Sequence, residues 1–261
     1  MDPKISVRDL TVQYKLESGS TIVVVDGFNM DLQEGTFTCI IGPSGCGKTT
    51  VLNVIAGLTS ASNGTVVVDG ELVTGPSPSR GVVFQQYCVF PWLTVRQNVE
   101  FPLRMAKKPK DDRRVIVDRL MELVNLTMWA DSFPKELSGG MKQRVALARA
   151  YAGDPTILLM DEPFGALDAE TRSYLQEELL EVWTRERRTI LFVTHDVEEA
   201  VFLSQHVIVM GNRPSRILAE VKVPFPYPRS SEVRLSSDFA ALRKEVWEAT
   251  RGAGTRNTAR G

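Results

Sequence analysis

The 261-residue sequence contains no apolar run near the roughly 20 residues that cross a bilayer. Its start, Met1-Asp2-Pro3-Lys4-Ile5, has neither the basic opening nor the long apolar stretch of a secretory signal. A role at a membrane would therefore need a spanning segment supplied by another chain. Cysteine is scarce: three residues, at positions 39, 46 and 88, form no metal-type or redox-type pair, and an odd number suits a reducing compartment. The expected location is cytoplasmic. Histidine is scarcer, with only His195 and His206. Charge of neither sign is in excess, since 31 basic residues face 32 acidic ones, and a net charge of −1 argues against a general nucleic-acid binder. Internal repeats and heptad runs are absent, which argues against tandem or coiled-coil architectures.

What is present is concentrated in one octapeptide, Gly42-Pro43-Ser44-Gly45-Cys46-Gly47-Lys48-Thr49, which has the spacing of a Walker A phosphate loop. It follows a short apolar run, Phe37 to Ile41, and precedes a helical stretch, Val51 to Ala56, which is the strand, loop, helix context the motif requires. The glycines let successive backbone N–H groups approach phosphates at a helix N-terminus. Lys48 is suited to the β- and γ-phosphates, the Thr49 hydroxyl to Mg²⁺, and Thr50 completes the nucleotide-binding stretch. Cys46, inside the loop, is read as a small residue that fits, and its modification would block nucleotide binding.

The surrounding pattern predicts an α/β fold. Short β-type runs occupy Ile5 to Val12, Thr21 to Val25 and Phe37 to Ile41, with further strands at Thr65 to Val68 and Gly81 to Phe84. From about Gln86 to Ala150 the character turns helical, with Val115, Leu120, Leu123 and Val124 as the expected apolar stripe after Asp111-Asp112. Lys107-Lys108-Pro109-Lys110, just before that stripe, reads as a solvated loop. Thr156 to Met160 and Thr189 to Val193 read as parallel strands buried on both faces, on either side of an amphipathic helix from Ala169 to Trp183. His206 opens a strand, Val207 to Met210, and is read as structural. Beyond Val221, Pro224, Pro226 and Pro228 read as loop. The domain is expected to span residues 5–245, with 246–261 a flexible tail.

A phosphate loop alone does not choose among kinases, GTPases and motor ATPases. Asp161 and Glu162 close the buried run at Met160 and supply two carboxylates for different tasks, Asp161 to hold Mg²⁺ through its water shell and Glu162 to polarise an attacking water. Leu137-Ser138-Gly139-Gly140-Met141-Lys142-Gln143-Arg144 resembles the signature of ATP-binding cassette (ABC) proteins, and Asp161-Glu162-Pro163-Phe164-Gly165-Ala166-Leu167-Asp168 resembles their Walker B and D-loop. The resemblance extends from about residue 5 to 220. It implies a P-loop ATPase core with a mixed sheet, an N-terminal antiparallel β subdomain and a helical subdomain inserted at about 86–150.

That resemblance also implies roles. Gln85 would be the Q-loop residue of the catalytic set with Glu162 and His195, contacting both Mg²⁺ and the mobile helical insertion, His195 the H-loop residue steadying the γ-phosphate and catalytic water, and Tyr14 the aromatic that stacks on adenine. Ser138, Gly139 and Gly140 would reach the γ-phosphate held by a second cassette, so that two copies close around two MgATP. Gly165 and Met141 depart from the commonest residues without removing a phosphate ligand or a carboxylate, so an active ATPase is expected.

Phe90-Pro91-Trp92-Leu93-Thr94-Val95, the Phe164 to Arg172 segment, the Thr194 to Leu203 segment and Arg213-Pro214-Ser215-Arg216-Ile217 are similar to the nitrate, sulfonate and taurine importer group, with Ser215 where that group has Gly. The implied setting is the cytoplasmic face of the cell membrane. A permease subunit would dock near Val89, Phe90, Trp92 and Leu93, and an external substrate-binding protein would act through that permease. The alternative is a soluble ABC ATPase acting on nucleic acid or the ribosome.

Overall fold

The computed structural model describes residues 2–165 and 167–251. Met1, Ala166 of the D-loop segment and most of the expected tail, 252–261, lie outside the described residues. In chain order the elements are β1 (Ile5–Lys15), β2 (Thr21–Leu32), β3 (Phe37–Ile41), α1 (Lys48–Ala56), β4 (Asn63–Val68), β5 (Glu71–Leu72), β6 (Arg80–Val83), α2 (Val95–Met105) and α3 (Lys110–Leu123). There follow α4 (Gly139–Ala152), β7 (Ile157–Asp161), α5 (Ala169–Glu186), β8 (Thr189–Thr194), α6 (Val197–Leu203), β9 (His206–Met210), β10 (Ile217–Lys222) and α7 (Ser237–Arg251). The described residues form two compact units, 2–77 with 187–251, and 78–186.

In the first unit β1 is central to an antiparallel sheet ordered β2-β1-β4-β5. Ile5 and Val7 are buried, then Leu10 and Val12. The one-residue change of phase coincides with an irregularity in the pairing and with Asp9 at φ 47°. A bulge of this kind keeps one apolar face inward along a bent strand. The expected antiparallel β subdomain is therefore present, with β2 extending to Leu32, well past the expected end at Val25.

The same unit carries β3, fully buried, between two parallel neighbours: Ile40 lies opposite Val193 of β8 and Ile208 of β9. A strand covered on both faces needs a near-continuous apolar run, which Phe37 to Ile41 supplies with Thr38 as its one hydroxyl. β10 pairs antiparallel with β9, making the sheet mixed. Past β10 the structure corrects the sequence reading. A helix, α7, runs to Arg251, so residues 246–251 are helical where a tail was expected. Phe239 and Val246 are its buried anchors, too sparse a stripe to announce a helix behind a proline-rich stretch.

In the second unit β6 and β7 pair in parallel, Val83 opposite Met160, and the remainder is helical. α2 starts with a capping box in which Thr94 Oγ1 accepts from Gln97 N and Gln97 Oε1 accepts from Thr94 N. Pro102 sits inside α2 and masks it in the sequence. Buried Asn98 ties down the chain before it, donating to the carbonyls of Phe90, Leu93 and Thr94 and accepting from Phe90 N at 2.8 Å. In α3 the inward residues are Val117, Leu120 and Met121. Val115, expected on the stripe, is 68% exposed.

Candidate nucleotide site

Parallel pairing determines where the chemistry emerges. In the first unit Ile41 lies opposite Thr194, so the phosphate loop and His195 leave the same edge of neighbouring strands. In the second unit Val83 lies opposite Met160, so Gln85, two residues on, and the pair Asp161 and Glu162 leave one edge together. Both edges are carboxyl ends of parallel strands, where α/β folds bind ligands.

Within the phosphate loop Gly47 stands at φ 111°, and a Cβ there would lie 2.9 Å from Val24 Cγ1, so both backbone angle and space require glycine. Lys48 is buried, and its ammonium donates to the carbonyls of Gly42 at 2.9 Å and Pro43 at 3.2 Å. Those bonds hold the cation within the loop's curve. Thr49, Ser44 and Gly45 are exposed, Pro43, Gly47 and Thr50 half-buried, Cys46 buried. Burial pushes the Cys46 thiol pKa up, against the pull of Lys48, so it stays protonated and unreactive. Tyr14 is 40% exposed near the end of β1, opposite Ile22. His195 is exposed, and the next residue, Asp196, caps α6 by accepting from Glu198 N at 2.8 Å and Glu199 N at 3.2 Å.

In the second unit Asp161 is buried at the end of β7, while Glu162 is half-buried at φ 42°, where the chain turns sharply off the strand. Gln85 is exposed. Ser138 caps α4, its hydroxyl accepting from Met141 N at 3.3 Å. The signature thus opens a 14-residue helix, whose N-terminus carries free N–H groups and a positive dipole end. Tyr87, which the sequence reading passed over, has its hydroxyl 3.1 Å from the place a Cβ on Gly139 would take. Its position two residues after Gln85 was the available signal.

Comparison with known proteins identifies the family. The family described as ABC transporter matches residues 25–165. An ATP-binding protein of Brucella abortus is 54% identical over 249 residues, covering 95% of this chain and 94% of that protein. The aliphatic sulfonates import ATP-binding protein SsuB of Bacillus cereus is 44% identical over 242 residues, covering 93% of this chain and 94% of that protein. Among solved structures, the dimeric post-hydrolysis state of the ATP-binding cassette MJ0796 bound to ADP and Pi is similar at a TM-score of 0.75 and 31% identity, covering 85% of this chain and all of that one. The chain belongs to the ABC transporter family, as an ATP-hydrolysing cassette.

Proposed function

We propose that this chain is the ATPase subunit of an importer that takes up a small solute of the nitrate, sulfonate or taurine type through a separate transmembrane partner. The observation that carries the ATPase part is the pair of strand edges, one presenting the phosphate loop with His195 and the other Gln85 with Asp161 and Glu162. The importer part draws support from the similarity to the sulfonate import protein.

In this reading Gly42 to Thr50 hold the triphosphate, Tyr14 stacks on adenine, Glu162 polarises the water that attacks the γ-phosphorus, and His195 contacts the γ-phosphate. Thr49, Gln85 and Asp161 would hold Mg²⁺, and the donor set fits: hydroxyl, amide and carboxylate oxygens are the ligands a hard cation takes beside phosphates. Among the described residues no group of three or more His, Cys, Asp or Glu side chains offers a self-sufficient metal cage. Bound there, Mg²⁺ would neutralise charge on the β- and γ-phosphate oxygens.

Ser138, Gly139 and Gly140 would meet the ATP held by a second copy of the chain, so that ATP joins the homodimer and hydrolysis releases it. No helix among the described residues is long and apolar enough to cross a membrane, which agrees with a cassette lying at the cytoplasmic face against its permease. Trp92, 70% exposed beside Phe90 at a ring separation of 5.5 Å, supports docking of the permease at that surface. The permease would in turn receive solute from an external binding protein. Nucleic acid has no part in this cycle.

Glu162→Gln tests the chemistry. Turnover should fall by about a hundredfold or more, while MgATP binding persists and light scattering shows an ATP-dependent dimer. Hydrolysis at the parent rate would remove Glu162 from the role.

A further inference from the structure

The segment between β9 and β10, Gly211 to Arg216, is tied to the phosphate loop and to β2 at several points. A Cβ on Gly42 would lie 2.7 Å from the Met210 carbonyl, so the end of β9 abuts the start of the loop. Ser215 is fully buried. Its N–H donates to the Val24 carbonyl at 2.9 Å, its carbonyl accepts from Asp26 N at 3.2 Å, and its hydroxyl donates to the Cys46 carbonyl inside the loop. Arg216 pairs with Asp26. Ser215, the residue that departs from the importer-group pattern, therefore supplies a direct bond from this segment to the phosphate loop.

The chain on one side of Arg213 is thus fixed by Met210 and on the other by Ser215. Arg213 itself is exposed, with Nη2 3.6 Å from the place a Cβ on Gly45 would take, on the flank of the phosphate loop. Among the described residues its guanidinium has no ion pair and no hydrogen bond, unlike Arg216 nearby. A guanidinium held at that flank and not neutralised there adds a second positive charge to a loop that already places Lys48 and a helix N-terminus around the phosphates.

We infer that Arg213 is a further nucleotide-binding residue, which strengthens polyphosphate binding through its charge at the flank of the phosphate loop while Ser215 fixes its position. The inference rests on the reading of Gly42 to Thr49 as the nucleotide loop. Its effect is electrostatic, so it grows with the number of phosphates and fades with salt beyond a Debye length of about 8 Å at physiological ionic strength.

Affinity for MgATP, MgADP and adenosine is measured for the parent, Arg213→Gln, Arg213→Lys, Arg216→Gln and Lys48→Ala at low and high salt. Arg213→Gln should weaken MgATP binding by about threefold to tenfold at low salt, MgADP by less and adenosine not at all, with a shallower salt dependence. Arg213→Lys should bind within about twofold of the parent. Parent-like MgATP affinity and salt dependence in Arg213→Gln, or an equal loss in Arg216→Gln, would overturn the inference and leave the loop reading intact. Parent-like MgATP binding by Lys48→Ala would instead overturn the loop reading, and this inference with it.

Discussion

Gly140, the second residue of the signature helix, packs so tightly on Thr171 of α5 that a Cβ in its place would lie 2.8 Å from Thr171 Cγ2. Threonine is β-branched and has few rotamers to yield with. Gly140→Ala should therefore lower stability by about 1–2 kcal/mol despite the better helix propensity of alanine. At Gly139 the nearest atom is the end of the Tyr87 side chain, at 3.1 Å, which can swing aside. Gly139→Ala should cost less. Urea unfolding of both variants checks the order, and equal stabilities would contradict the packing argument.

Arg229 is buried, and its Nη1 donates to the carbonyls of Val201, Phe202 and Ser204 at the end of α6, while Nη2 donates to the Phe225 carbonyl at 2.8 Å. Tyr227 donates to the Leu203 carbonyl beside it at 2.8 Å. Together they satisfy the carbonyl end of a seven-residue helix that begins two residues after His195. Arg229→Met removes the donors and leaves those carbonyls buried, which should cost on the order of 2–4 kcal/mol in chemical denaturation. A loss below about 1 kcal/mol would mean that other donors replace it.

His206 carries a pH prediction. Burial lowers its folded-state pKa below 6.5, and Lys222, its partner across β10, adds to the effect while Glu220 opposes it. A lowered pKa means the folded state prefers the neutral ring. As pH falls through 6.5 the unfolded chain takes up the proton first, so this contribution to stability is present above 6.5 and is lost toward the lower folded pKa. His206→Gln should flatten the change in urea midpoint between about pH 7.5 and 5.5, and a slope equal to the parent's would contradict it.

Legibility followed locality. The phosphate loop is one contiguous octapeptide whose flanks already show a strand and a helix, so its place between β3 and α1 was readable. β3, β7 and β8 were readable because strands buried on both faces display mostly apolar residues, with polar ones confined to Thr38 and the strand ends Asp161, Thr189 and Thr194. The second half of β2, Asp26 to Leu32, alternates buried and exposed residues around Gly27 and looks like a turn until β1 pairs with it. α2 was hidden by Pro102, and α7 by a stripe reduced to two buried residues. The Ser215 bond to Cys46 joins residues 169 apart in sequence, and no local pattern reports such a pairing.

The central claim, an ATPase that energises a membrane permease, is tested most directly by purifying tagged Glu162→Gln protein from its native host with MgATP in mild detergent and identifying what accompanies it by mass spectrometry. The account predicts a stoichiometric membrane protein with several spanning helices. Recovery of ribosomes or nucleic acid with no membrane partner would contradict it.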